Sequence, residues 1–240
     1  MSSNQFLENL KYKSVENIET TLSPSAKFFK ENGYIKVENF IDKNMAYFLY
    51  NYVIMESKRL SFLNELDPDL IMKPNKFYGC WGVFDDPQAL GDFSRYGCGI
   101  FDNLLNLKTE EMSSLTGINL IPQYSYHRLY TSNSELARHK DRPSCEISCT
   151  LFLGSNTSNI REEYSWPMYI KKGDGPEIPI NLNPGDIIVY RGCELEHWRE
   201  PFKGLNHAQV FLHYNEKDGE YNKVYDDRPA LGITKSIYRD

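Results

Sequence analysis

His139 and Asp141 stand two residues apart in Leu136-Ala137-Arg138-His139-Lys140-Asp141-Arg142-Pro143, an imidazole and a carboxylate set between two runs that read as β-strands. On an extended backbone residues i and i+2 share a face, with Cα atoms about 7 Å apart, so both side chains can turn toward one ion. A third ligand has to come from a distant segment. His197, fifty-eight residues further on in Glu194-Leu195-Glu196-His197-Trp198-Arg199-Glu200-Pro201, opens a later strand directly after the turn-rich Arg191-Gly192-Cys193. Two imidazoles and one carboxylate on one face of a metal leave open positions for a chelating cosubstrate and O2, the donor set expected for non-haem Fe(II) oxygenases. An HxD pair alone is a weak signal, because two such residues meet by chance in many chains. The flanking strands, the distant His197 and the strand that follows it strengthen the reading. All five histidines lie in the C-terminal half. Of the others, His127 is expected to pack or hydrogen-bond on the face of its strand opposite Arg128, and His213 to be a satisfied core residue.

Positioning such a set requires a rigid β framework, and the texture of the chain supplies one from Pro122 onward. Short β-rich runs fall at Tyr124 to Tyr130, Glu146 to Leu153, Trp166 to Ile170, Asp186 to Tyr190, Glu196 to Arg199 and His207 to Tyr214, separated by Gly, Pro, Asn and Asp. This spacing suggests a jelly roll or barrel. Before it, Gly33 to Glu38 alternates as a short strand, and Asp42 can cap a helix from Asn44 to about Leu63. Met45, Phe48, Leu49, Tyr52, Leu60 and Leu63 recur at helical spacing and are expected to form its buried face. A loop rich in Pro, Gly and aromatics, Pro68 to Tyr96, precedes a second amphipathic helix carrying Phe101, Leu104, Leu105, Met112 and Leu115 and stopped by Gly117. Residues 1–30 read as a polar arm or surface helix. The expectation is a mainly β chain with a helical buttress (α+β), one catalytic domain over 1–240. Residues 1–118 form the scaffold, 119–215 the β core and 216–240 a charged C-terminal extension.

Composition narrows the function classes. With 40% hydrophobic residues in 240 the chain can bury a core. The 27 Lys and Arg against 33 Asp and Glu give a net charge of −6 with no dense basic run, which disfavours a nucleic-acid partner. The longest apolar run, Met45 to Met55, is too short to span a membrane, and the polar N-terminal stretch carries no signal-peptide pattern, so a soluble, cytoplasmic protein is expected. Cys80, Cys98, Cys145, Cys149 and Cys193 are odd in number and lack a CxxC pair, so they are expected to be buried thiols.

Taken together, these features resemble the 2-oxoglutarate/Fe(II)-dependent dioxygenases of the double-stranded β-helix (jelly-roll, cupin-like) fold, particularly the prolyl 4-hydroxylase-like branch. Asn32 to Ile41 is similar to the opening strand of many such enzymes, residues 123–214 to their barrel, and His139, Asp141 and His197 match the iron ligands one for one. The resemblance implies Fe(II), 2-oxoglutarate and O2, with ascorbate as a candidate reductant. It also implies hydroxylation of a C–H bond of an amino-acid, peptidyl (including prolyl) or other small substrate, with succinate and CO2 as products. Asp141, where related halogenases carry Gly or Ala, implies oxidation rather than halogenation.

The far carboxylate of a five-carbon diacid needs a cation or several donors deeper in the barrel. In the prolyl hydroxylase pattern this is a Lys ten residues after the distal His, but here that position is His207. If His197 points inward, so does Arg199, about 7 Å along the strand, which makes Arg199 the first candidate. Arg128 and Tyr130 share a face of the strand before the HxD loop, and Tyr130 falls near a cosubstrate-binding Tyr of the family. Arg142 and Gln209 are further candidates, and Phe152 stands where some relatives carry a Tyr. Tyr78, Trp81, Phe84 and Phe93 are read either as an apolar lid over the metal end or as packing of an irregular loop. Two other readings stay open: a non-catalytic cupin or lectin-like module that binds a metal, and a cofactor-independent cupin-type metalloenzyme. Cupins usually supply more histidines to the metal than this chain offers. Oligomeric state is not readable.

Overall fold

The computed structural model describes residues 22–69 and 81–223. Helix α1 (Pro24–Asn32) starts where the Ser23 hydroxyl accepts the Ala26 N–H and ends at Gly33, whose φ of 81° lets its N–H close on the Phe29 carbonyl. After strand β1 (Tyr34–Val37), Asp42 caps α2 (Lys43–Leu66) by accepting the Asn44 and Met45 N–H groups. Strand β2 (Phe93–Tyr96) leads to α3 (Gly99–Leu107) and α4 (Thr109–Thr116). These are two helices where the periodicity suggests one. The break falls at Lys108, whose ammonium reaches the Phe40 carbonyl and Glu111. Gly117 ends α4 with φ 71°, as expected.

The β region holds β3 (Leu120–Thr131), β4 (Leu136–His139), β5 (Ile147–Asn156), β6 (Met168–Lys171), β7 (Ile178–Ile180), β8 (Ile187–Arg191), β9 (Glu196–Arg199) and β10 (Asn206–Glu216). They form a six-stranded sheet in the order β1-β8-β5-β10-β3-β2 and a four-stranded sheet in the order β4-β9-β6-β7, with all neighbours antiparallel. The chain crosses between the sheets from β3 to β10, which is jelly-roll alternation. Among the described residues no strand of one sheet pairs with a strand of the other, so the two sheets face each other as a sandwich and the barrel expected from the sequence is not closed. Strands β2, β4 and β7 escape the sequence reading for physical reasons. β2 lies inside the aromatic loop segment, β4 carries a register irregularity between Leu136 and His139, and β7 is a three-residue edge strand centred on Pro179.

Strand alternation gives the large sheet two different faces. Leu129, Leu151, Leu153, Val189, Ala208, Val210 and Leu212 face the helices and join Leu49, Val53, Leu60, Phe101, Leu105 and Met112 in the main apolar core. The other face carries Tyr124, Tyr126, Tyr130 and Phe211, packed with Trp166 and Phe202, while Ile188 and Tyr190 pack on Met168 and Ile170 of the small sheet. On α2 the buried residues are Ala46, Leu49, Val53, Glu56 and Leu60, whereas Met45 and Phe48, expected inside, are exposed. Apolar residues occupy more than one stripe of this helix, and periodicity alone does not say which stripe meets the sheet. Cys98, Cys145 and Cys149 are buried thiols and Cys193 is only half-buried. Cys80 lies outside the described residues, as do residues 1–21 and 224–240 and most of the proposed terminal extension. Among the described residues no helix is long and apolar enough to cross a membrane.

Candidate metal centre and its cavity

The two histidines are brought together by backbone pairing. His139, at the end of β4, is the register partner of His197 on β9, and their ring centroids lie 4.2 Å apart. Each ring is fixed by its own strand: Nδ1 of His139 is 2.7 Å from the Ala137 carbonyl oxygen and Nδ1 of His197 is 3.0 Å from that of Leu195. A carbonyl can only accept, so both Nδ1 atoms carry the proton and both Nε2 lone pairs are free. These Nε2 atoms converge on one oxygen of Asp141, at 3.6 Å from His139 and 3.5 Å from His197. One ligand atom from each residue lies within 4.8 Å of the others, the spread of a three-ligand metal face.

Asp141 is held from behind. Its N–H donates to the Gly192 carbonyl, and its second carboxylate oxygen accepts the Ser148 hydroxyl at 2.6 Å. Ser148 also lies 3.1 Å from Nδ1 of His213. Burial works against the Asp141 charge, but His197 and His139 beside it hold the carboxyl well below the usual carboxylate range. Burial likewise opposes protonation of His139, yet Asp141 and the Ala137 carbonyl draw its affinity for a proton above the ordinary histidine value. The cluster offers three donors that could hold a metal ion. There is no room for substitution behind it: a Cβ on Gly192 would stand 2.4 Å from the Cys145 carbonyl oxygen and 2.5 Å from Oδ2 of Asp141.

The three residues open into a cavity of about 180 Å3 between the sheets, lined among others by Tyr126, Arg128, Tyr190, Arg199 and His213. The two inward arginines differ in one respect. Arg128 is already neutralised: Asp86 sits 3.1 Å away, and the Tyr126 hydroxyl and Ser94 accept further bonds. Although burial opposes its charge, Tyr130, Tyr126 and Asp86 raise its proton affinity above the ordinary value. Arg199, as buried as Arg128, donates to the Trp166 carbonyl and lies over the Trp166 ring, and among the described residues no carboxylate pairs with it. Burial pushes it down to about 10. Beside it, His207 stacks on Phe152 with Nε2 unpaired, and burial together with Arg199 keeps its imidazole neutral. Both amide atoms of buried Gln209 also lack a partner. Buried polar groups of this kind need a partner, so the interior has an unmet demand for a polar, anionic guest.

The other sequence candidates fall around this core. Tyr130 is fully buried, with its hydroxyl 3.3 Å from Arg128 and its ring edge-on to Trp166, and Tyr126 lines the cavity wall. Arg142 lies at the mouth with Lys140 and Gln88. His127 lies on the opposite face from Arg128, packed against Phe93 and Phe101, with both ring nitrogens unpaired. Phe84 and Phe93 pack on each other and on the helix-side core, so they form no lid, because β2 pairing turns Phe93 away from the cavity. Trp81 is exposed, and Tyr78 lies outside the described residues. Asp86, Ser148 and His213 are site residues that the sequence reading misses. Inward alternation along their own strands from Phe152 and Gln209 could have found Ser148 and His213, but nothing in the sequence marks Asp86.

Sandwich, strand order and metal-facing cluster together place the chain among proteins with the fold of 2-oxoglutarate/Fe(II) oxygenases. Its structure matches a Pseudomonas putida prolyl-4-hydroxylase with TM-score 0.59 at 12% identity, covering 80% of this chain and 97% of that one. EctD from S. alaskensis, solved with 2-oxoglutarate and 5-hydroxyectoine, matches with TM-score 0.55 at 15% identity over 92% of this chain and 86% of its own. The non-heme alpha ketoglutarate dependent epimerase SnoN from nogalamycin biosynthesis matches with TM-score 0.55 at 13% identity over 84% and 86%. At these identities the likeness is one of fold. No family model and no curated protein sequence matches the chain.

Proposed function

We propose that this protein is an Fe(II)- and 2-oxoglutarate-dependent dioxygenase that hydroxylates a C–H bond. The observation that carries the reading is the conjunction, in one cavity, of the His139, Asp141 and His197 cluster with a buried Arg199 that has no counter-anion among the described residues. His139, Asp141 and His197 would hold the metal. Arg199 would take the distal carboxylate of the cosubstrate, with His207 and Gln209 as neutral donors nearby. Bound together, the metal and 2-oxoglutarate would supply the O2-dependent oxidation, leaving succinate and CO2. The chain's own work is geometric. The Ala137 and Leu195 carbonyls fix both histidine tautomers, Ser148 fixes the Asp141 carboxylate, and the Asp86-bound Arg128 holds the wall.

In a double-stranded β-helix arrangement of this kind His139, Asp141 and His197 would hold the metal and Arg199 the cosubstrate between the sheets. Lys140 and Arg142 at the mouth make it cationic, which favours a substrate bearing a carboxylate, such as an amino acid or peptide. Structures of similar fold include prolyl hydroxylases and an epimerase, and the Asp141 carboxylate supports oxidation over halogenation. Purified protein given Fe(II), 2-oxoglutarate and O2 should release succinate, faster with the right carboxylate-bearing substrate, and His139→Ala should abolish the release. No succinate, together with no 2-oxoglutarate-dependent absorption change on anaerobic Fe(II) loading, would overturn the enzyme reading and favour a metal-binding module.

A further inference from the structure

Helix α2 presents to solvent an exposed apolar seam, within which Tyr52 also packs edge-on against Phe101 of the described core. Phe48, Met55 and Phe62 recur at heptad spacing and are 61%, 60% and 58% exposed. Met45 and Leu66, at 47% and 66%, extend the same stripe to both ends of the helix. With Tyr52 and Arg59 between them the positions run 45, 48, 52, 55, 59, 62, 66, alternating steps of three and four, which is the a/d pattern of a two-helix seam. Single exposed apolar residues are ordinary. A contiguous apolar line along a helix of 24 residues is not, since helix pairing is what such periodicity serves. A separate face of α2, with Leu49, Val53 and Leu60, already meets the large sheet, so the seam is additional to that packing among the described residues.

We propose that α2 pairs with α2 of a second copy of this chain, antiparallel, about a two-fold axis near residue 57. That register sets Phe48 against Leu66 of the other copy, the outer edge of Tyr52 against Phe62, and Met55 against the aliphatic stem of Arg59, and repeats the same contacts in reverse, as an isologous interface requires. Phe48, Met55, Phe62 and Leu66, the apolar residues this register opposes, offer roughly 465 Å2 per helix, taking about 190 Å2 for a fully exposed large residue. The pair therefore buries about 930 Å2 of these side chains, and the half-exposed Arg59 stems with the outer edges of Tyr52 bring it to the ~1,000 Å2 needed for a specific interface. Arg59 keeps its ion pair with Glu56, 2.8 Å away on its own chain, so its stem packs without stranding its charge.

The test is sedimentation velocity and light scattering on the full chain at about 50 μM. The expected species is a dimer, converted to monomer by Met55→Lys, which sets two new ammonium groups near the axis with helix content unchanged. Tyr47→Lys, an exposed position off the seam, adds the same charge and should leave the dimer intact. To fix direction, Lys58→Cys near the axis should cross-link across copies, whereas Lys43→Cys at the helix start should not. A monomeric wild type, a dimer that survives Met55→Lys, or cross-linking through Lys43→Cys alone would each overturn the proposal. So would a monomer in which Met55→Cys resists labelling, since that outcome means another segment of the same chain covers the seam.

Discussion

Arg199→Met separates a structural arginine from one kept for a ligand. Moving Arg199 from its ordinary value of 12.5 to about 10 costs the charged form about 3 kcal/mol. Methionine removes that cost while forfeiting the Trp166 carbonyl bond and the stacking on its ring, together worth about 2 kcal/mol. The ligand-free protein should therefore keep its stability within about 1 kcal/mol or gain slightly. Binding of 2-oxoglutarate should weaken by about 2–4 kcal/mol, roughly 30- to 1,000-fold in Kd, because a buried carboxylate loses its cation. Arg128→Met is the control. It strands Asp86 and should cost about 3–5 kcal/mol of stability. Urea titrations of the metal-free proteins and anaerobic calorimetry with Mn(II) and 2-oxoglutarate measure both quantities. If Arg199→Met destabilises as much as Arg128→Met and leaves the 2-oxoglutarate Kd unchanged, the assignment of Arg199 fails.

Three further outcomes follow from the same geometry. Ser148→Ala removes the hydroxyl that orients Asp141 and should weaken Mn(II) or Fe(II) binding roughly 10- to 100-fold in a metal titration, with the fold retained. Gly192→Ala drives a methyl into the Cys145 carbonyl and the Asp141 carboxylate, so it should abolish metal binding and lower the unfolding midpoint, seen by thermal scanning. Burial, aided by Arg95, brings His127 down to about 3, below its unfolded value near 6.5. The unfolded chain then takes up the proton first, so stability is full above pH 6.5 and falls as pH drops toward 3, by up to roughly 5 kcal/mol. His127→Leu should flatten that acid slope in urea titrations run between pH 7 and 4. An unchanged slope would place the acid sensitivity elsewhere.

The parts of the site legible in the sequence are those fixed by local geometry. His139 and Asp141 are bound by i, i+2 spacing, and Arg199 follows His197 inward by strand alternation, so the structure places all four where short-range rules put them. What is not legible depends on partners chosen by tertiary packing. Nothing near Arg128 in sequence announces that Asp86, forty-two residues earlier, neutralises it, so the two arginines look equivalent until the fold is known. The same limit explains α2. Its periodicity gives the helix and its cap correctly, but Met45 and Phe48 belong to a stripe that stands largely exposed. Phe93 reads as loop because a four-residue strand carries too little pattern, and its pairing with β3 is a long-range event.

The pairing of His139 with His197 also dictates when a metal can be captured. The two strands that carry them are far apart in sequence and meet only after β5 to β8 have been laid down between them. Closing such a long loop precedes any gain from the ion, so the metal cannot nucleate this fold as it does a zinc finger. Nascent chain emerging from synthesis carries no site until residue 197 has left the ribosome and docked. Under the proposed function, iron scarcity should then leave folding yield untouched while lowering the steady-state lifetime of the finished protein, because only the completed sandwich would gain the mass-action stabilisation of a bound ion.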